Sequence, residues 1–198
     1  MTNIVCIVEG DGEVQALPVL LRRLIESRCA YHIDIPVPIR VRRDQFLRRD
    51  DEFRSKLLLA GAKAGPAGAV LILLDADDDC PVTLATSVTG RAADVLPQSH
   101  VCVVIANREY EAWFLAGAAS LAGKRGLQKD LASPHNPDEM RDAKGWLSEH
   151  IQNYRYHPVS DQPALTAYLD IELAAQSSRS LRKLIKAFDD IVRSRPAV

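Results

Sequence analysis

The chain has 198 residues and a formal net charge of −1, with 25 Lys and Arg against 26 Asp and Glu. That length suits one domain able to bury about 70% of its unfolded surface, and 47% hydrophobic with 26% charged residues excludes global disorder and a polycation. Any nucleic-acid contact must therefore come from a local patch.

The first apolar run, Ile4 to Val8, predicts a strand and ends in Glu9-Gly10-Asp11-Gly12. Leu17, Leu20, Leu21, Leu24 and Ile25 then recur at helical spacing. A second strand is predicted over Ile33 to Val41, placed at an edge or irregular because it holds two prolines. Phe46, Phe53, Leu57, Leu58 and Ala62 predict a helix before Gly65-Pro66. Ala69 to Leu74 is the most continuous strand and ends at Asp75. A helix over Val82 to Leu96 and a fourth strand over Val101 to Ile105 follow. Short apolar runs alternating with helices predict an α/β fold with a mostly parallel layered sheet, joined by right-handed crossovers.

The second half reads as helices packed on that sheet: Glu111 to Leu121, Pro137 to about His150, Asp161 to Leu173, and the amphipathic run Ser180 to Val192. Gly123 to Pro137 is expected to be a loop. One domain over 1–198 is expected, with a core at about 3–106 and a helical extension at about 108–198. No run reaches the ~18 apolar residues of a membrane span. The N-terminal residues lack the basic region of a signal peptide, so a cytoplasmic protein with no membrane partner is expected. Cys6 and Cys102 lie in apolar runs and read as buried thiols.

Two motifs carry chemistry. Glu9, followed by glycines at a strand end, sits where open α/β sheets bind ligands. A capped, solvated turn is the plainer reading. Leu73-Leu74-Asp75-Ala76-Asp77-Asp78-Asp79 places Asp75 and Asp77 on one side if the chain stays extended. Such crowded carboxylates repel unless cations compensate, and hard oxygen donors suit Mg²⁺ or Mn²⁺. An acidic capping loop is the alternative.

With both motifs leaving parallel strands, the chain resembles the TOPRIM fold of topoisomerases, bacterial primases, recombination mediators and OLD-type nucleases. Glu9-Gly10 and Asp75-Ala76-Asp77 match its glutamate and D-x-D over roughly residues 3–106. More narrowly, the whole chain resembles a small stand-alone TOPRIM-like family catalogued as a domain of unknown function. Val8-Glu9-Gly10, Asp75 to Cys80, Glu111 to Leu115 and Ser178 to Lys183 carry that likeness, although Ser180-Leu181 replaces the usual Ser-Phe. The resemblance implies a TOPRIM-like Rossmannoid sheet with helices on both faces. It also implies a Mg²⁺- or Mn²⁺-dependent phosphodiester enzyme, a nuclease acting in antiphage defence or DNA metabolism, with an ATPase partner.

On that reading Glu9, Asp75 and Asp77 are catalytic and bind metal, with Asp79 and Glu111 as further ligands. Glu109 and Glu111 are not expected to point the same way. Trp113 and Phe114 are expected in the core. Arg42 and Arg43, and Arg179, Arg182 and Lys183, are the candidate contacts to nucleic acid, DNA in preference to RNA; the plain alternative for each is a solvated face. No tyrosine has a motif that marks it as a nucleophile. Two rivals remain: a non-catalytic TOPRIM-like subunit that binds nucleic acid or an ATPase, and a haloacid-dehalogenase-like phosphatase built on Asp75. The D-x-D of that phosphatase family ends the first strand, whereas here it ends the third.

Overall fold

The computed structural model describes residues 2–194. Five strands form one sheet: β1 (Thr2–Val8), β2 (Ile33–Asp34), β3 (Ile39–Arg40), β4 (Ala69–Asp75) and β5 (His100–Ala106). The order is β2-β1-β4-β5 with β3 also on β1, and every pairing is parallel. The expected second strand is thus two short pieces. Pro36 and Pro38, which have no N–H for a ladder, fall between them.

Helices α1 (Asp11–Ser27), α2 (Arg43–Arg48), α3 (Asp50–Ala64) and α4 (Pro81–Val95) connect the strands. The single helix expected before Gly65 is split at Arg49, which is extended at φ −109° and ψ 113°. Beyond β5 lie α5 (Ala112–Ala116), α6 (Ala118–Leu121), a 3-10 turn (Pro137–Glu139), α7 (Ala143–His150), α8 (Pro158–Tyr168), α9 (Ile171–Ser177) and α10 (Arg179–Ser194).

Three of the long helices expected here are broken. Gly117 separates α5 from α6 where a Cβ would stand 2.5 Å from Leu169. Asp142 starts α7 afresh by accepting from the Gly145 N–H at 2.7 Å. Asp170 starts α9 by accepting from the Leu173 N–H at 2.9 Å.

Side-chain alternation along the strands builds two apolar layers. Val5, Ile7, Val70, Ile72 and Leu74 pack with Phe46, Phe53, Leu57, Val88 and Ala92 of α2–α4. Ile4, Cys6, Val8, Leu71 and Leu73 pack with α1 and with Trp113, Phe114, Leu147, Leu165, Leu181, Leu184 and Phe188. The helical extension therefore completes one face of the sheet. Trp113 and Phe114 are fully buried, and the Trp113 indole N–H donates to Ser180 Oγ at 2.8 Å. Cys6 is buried in β1, where burial pushes its thiol up to about 12, and Cys102 is half-buried. No helix among the described residues is long and apolar enough to cross a membrane.

The turn into β4 has no spare volume. A Cβ on Gly68 would stand 2.2 Å from the Ala64 carbonyl oxygen and 2.6 Å from that of Asn3, both backbone atoms. Gly68→Ala should destabilise the fold by about 1–3 kcal/mol, read as a lower urea midpoint with an unchanged slope. Wild-type stability in the variant would show that this turn yields freely.

Candidate functional site

From β1 the chain crosses to β2 and β3 on one side and then returns past β1 to β4 on the other. The order reverses between β1 and β4, and a crevice opens at the carboxyl ends of such strands. Glu9 follows β1 there, and Asp75 closes β4.

The two carboxyls face different layers. Asp75 continues the alternation of Leu71 and Leu73, and its Oδ1 accepts from the Tyr110 N–H at 2.9 Å. Burial first, then the charges of Glu13 and Glu111, holds it well above the usual carboxylate range. Asp77 has left the extended conformation, with φ at 51°, so the strand does not carry both aspartates outward on one side. Its carboxylate lies 3.7 Å from Arg43 and its side chain is 58% exposed.

Glu9 lies within electrostatic reach of both aspartates. Burial first, then Asp77, pushes its carboxyl up to about 7, against the pull of Arg43. Its Oε2 is buried without a hydrogen-bond partner. Glu9, Gly10, Arg40, Arg42, Arg43, Asp44 and Asp77 line a cleft of ≈ 500 Å³. Acid and guanidinium thus share one opening.

Behind the cleft stands a buried polar wall. Glu111 is fully buried, and its Oε1 accepts from the Tyr156 hydroxyl at 3.0 Å. Lys144 Nζ lies 3.3 Å from Glu111 Oε2 and 3.1 Å from Glu109 Oε1. Both glutamates therefore reach one ammonium, contrary to the helical expectation, because they precede α5 and are not spaced along it. Burial raises Glu111 and Lys144 opposes the rise. Burial alone would lower the ammonium of Lys144, but Glu111, Glu109 and Asp75 outweigh it and hold it above its usual value. Glu13, in the first turn of α1, accepts from Gln162 Nε2 at 3.3 Å.

The basic residues divide. Arg43 is bound up in the acidic loop: it donates to the Asp75 carbonyl at 3.0 Å, the Ala76 carbonyl at 3.2 Å and Asp79 Oδ2 at 2.5 Å. Asp79 is thereby spent on Arg43. Arg42 lines the open cleft. Arg182 donates to the carbonyls of Ala175 and Gln176 at the end of α9, while Arg179 and Lys183 line a separate groove beside β5. Glu13, Lys144, Tyr156 and Gln162 went unrecognised in the sequence. Glu13 directly follows the Glu9-Gly10-Asp11-Gly12 turn, but nothing in the order of residues marks the other three. Among the described residues, no three or more His, Cys, Asp or Glu side chains stand as a set that could hold a metal ion.

Fold and site define an α/β protein with an acidic crevice at the carboxyl edge of a parallel sheet. The chain belongs to the family described as domain of unknown function DUF4276, whose profile it matches over residues 8–189. No curated protein and no solved structure matches it.

A raised carboxyl makes a signed prediction. Below pH 4.5 Glu9 is protonated in both the folded and unfolded chain; above it, ionisation favours the unfolded chain until the pH passes about 7. Wild type should therefore lose stability relative to Glu9→Gln between those values, measured as the difference in urea midpoint. A pH-independent difference would mean that Glu9 titrates as a solvated glutamate.

Proposed function

We propose that the protein is a Mg²⁺- or Mn²⁺-dependent phosphodiester enzyme of TOPRIM type, a nuclease. The observation that carries this reading is Glu9 Oε2, a buried and unpartnered carboxylate oxygen beside Asp77 in a cleft walled by Arg40 and Arg42. An oxygen-only donor set is what a hard divalent cation selects. Glu9 and Asp77 would hold it, with Asp75 next behind. Asp79 and Glu111 fit less well, one engaged by Arg43 and the other by Tyr156 and Lys144. Such a cation, when bound, polarises a phosphate and lowers the pKa of water.

The rest falls to the chain's own groups. Arg42 orients a phosphate at the mouth of the cleft. Glu9, where it is not taken up by the cation, is the carboxylate placed to accept a proton from the attacking water. Arg43 fixes the Asp75–Asp79 loop through two carbonyls and a carboxylate. DNA in preference to RNA as substrate, a cytoplasmic site of action, an ATPase partner and a role in antiphage defence or DNA metabolism follow from the family likeness.

The second reading is a non-catalytic subunit that binds nucleic acid or an ATPase. It is favoured by the lack, among the described residues, of three side chains grouped to hold a metal. Labelled DNA and RNA incubated with Mg²⁺ or Mn²⁺ distinguish the two. Cleavage should appear with metal and vanish in Glu9→Gln and Asp77→Asn, with no hydrolysis of p-nitrophenyl phosphate. Binding without cleavage under every metal condition would leave the subunit reading.

Thermal shifts test the same site without turnover. Mg²⁺ or Mn²⁺ at 100 times the dissociation constant should stabilise wild type by about 2.7 kcal/mol. Asp75→Asn should leave the metal-free protein at least as stable, because a neutral amide removes a buried ionisable acid and can still accept from Tyr110. The metal should do much less for Asp77→Asn, which removes one of the two holding carboxylates. Equal shifts in wild type and Asp77→Asn would defeat the metal site.

A further inference from the structure

A groove of ≈ 810 Å³ runs along β5 between α4 and α10. Pro81, Val82, Ala85, Val103 and Ile105 give it apolar walls, and Arg179 and Lys183 form its cationic rim. In size and character it matches a site for an organic ligand with a few fixed polar contacts. Among the described residues, β5 pairs only with β4, so its outer side borders the groove.

The rim is charged and available. Neither the Arg179 nor the Lys183 side chain forms an ion pair with a described residue, whereas Arg182 is turned away to α9 and Lys186 is paired with Asp190. Asp138, the acid of the groove, already accepts from the Arg179 N–H at 3.0 Å and so serves the start of α10. The face thus offers two cations and one acid above an apolar floor, an excess of one positive charge.

Position ties the groove to the acidic crevice. Asn107 lines it, and the next residue, Arg108, holds the acidic loop through Asp78 Oδ1 at 2.9 Å and the Asp77 carbonyl at 3.4 Å. Pro81, at the other corner, begins α4 directly after that loop. Groove and cleft thus flank one five-residue loop, residues 76–80.

We infer that the groove takes unpaired nucleotides, so that the substrate class of the protein is single-stranded nucleic acid; this rests on the reading above that the ligand is a nucleic acid. An unpaired base exposes apolar faces that Val82, Ala85, Val103 and Ile105 can cover while its phosphates meet Arg179 and Lys183. A duplex stacks those faces inside and presents sugars, phosphates and base edges, so no base face would cover the floor. The pairing of an apolar floor with free cations selects a chain that carries both properties at each nucleotide.

The test is fluorescence anisotropy of a labelled 15-nucleotide single strand and of the same sequence as a duplex, in EDTA, so that binding is read without cleavage. The single strand should bind about tenfold tighter than the duplex at moderate salt. Lys183→Glu should weaken single-strand binding about tenfold and flatten its salt dependence. Val82→Asp, at a side chain exposed enough to leave the fold intact, should weaken it while leaving the weak duplex binding unchanged. Equal or tighter duplex binding, or single-strand binding untouched by both variants, would overturn the inference. Strand binding in EDTA with no metal-dependent cleavage would sink the nuclease reading alone; cleavage of duplex regardless of the groove variants would sink this inference alone.

Discussion

The carboxyl edge of this sheet is organised by one constraint: negative charge crowded where solvent cannot neutralise it. Glu111 and Glu13 are buried, Asp75 and Glu9 are partly so, and one ammonium, Lys144, faces the group from α7. A buried carboxylate without partners would cost several kcal/mol. The protein meets that cost with donors from every direction: the Tyr110 amide for Asp75, the Tyr156 hydroxyl for Glu111, and Gln162 for Glu13. Glu9 Oε2, at the cleft, is among the buried oxygens left without a hydrogen-bond partner, with Glu109 Oε2, Glu111 Oε2 and Gln162 Oε1.

The backbone is held by the same charges. Asp77 and Arg108 both have positive φ, at 51° and 61°, a region that costs an ordinary residue free energy. The two residues clasp one another, with the Asp77 N–H donating to the Arg108 carbonyl at 3.0 Å and the Arg108 guanidinium reaching back. Arg43 pins the loop from the opposite layer. Hydrogen bonds thus tie the loops after β4 and β5 to one another, and Arg43 ties the first of them to α2. Strain at such a place is retained because position matters more there than local ease.

The strands ending at Asp75 and near Ala106 were legible because a continuous β-branched run bounded by polar residues has few other uses. The α10 stripe of Leu181, Leu184, Phe188 and Ile191 was equally plain, since one face is wholly apolar. Helix breaks were not legible. Gly117 interrupts a helix because of Leu169, which is 52 positions away and visible only after folding. Among the site residues, Glu9 and Asp75 announce themselves by closing strands. Lys144 and Tyr156 do not, since each meets Glu111 only because α7 and the segment before α8 fold back over α5. Arg43 showed the converse: its type suggested phosphate, but its surroundings make it a brace for the acidic loop.

The helical half of the chain is therefore a working part of the crevice. Its apolar stripes complete one face of the sheet, and that packing brings Lys144, Tyr156 and Gln162 to the acids from outside the strand-bearing half. A sheet with Glu9 and Asp75 but lacking these helices would carry the acids without the groups that let them stay buried. The cation on α7 is a long flexible side chain, 38% exposed, at the solvent side of the cluster. Its ammonium can withdraw toward water without disturbing the core, whereas the hydroxyl of Tyr156 and the amide of Tyr110 cannot. The buried donors thus set where the carboxyls stand, and Lys144 balances their charge from the solvent side.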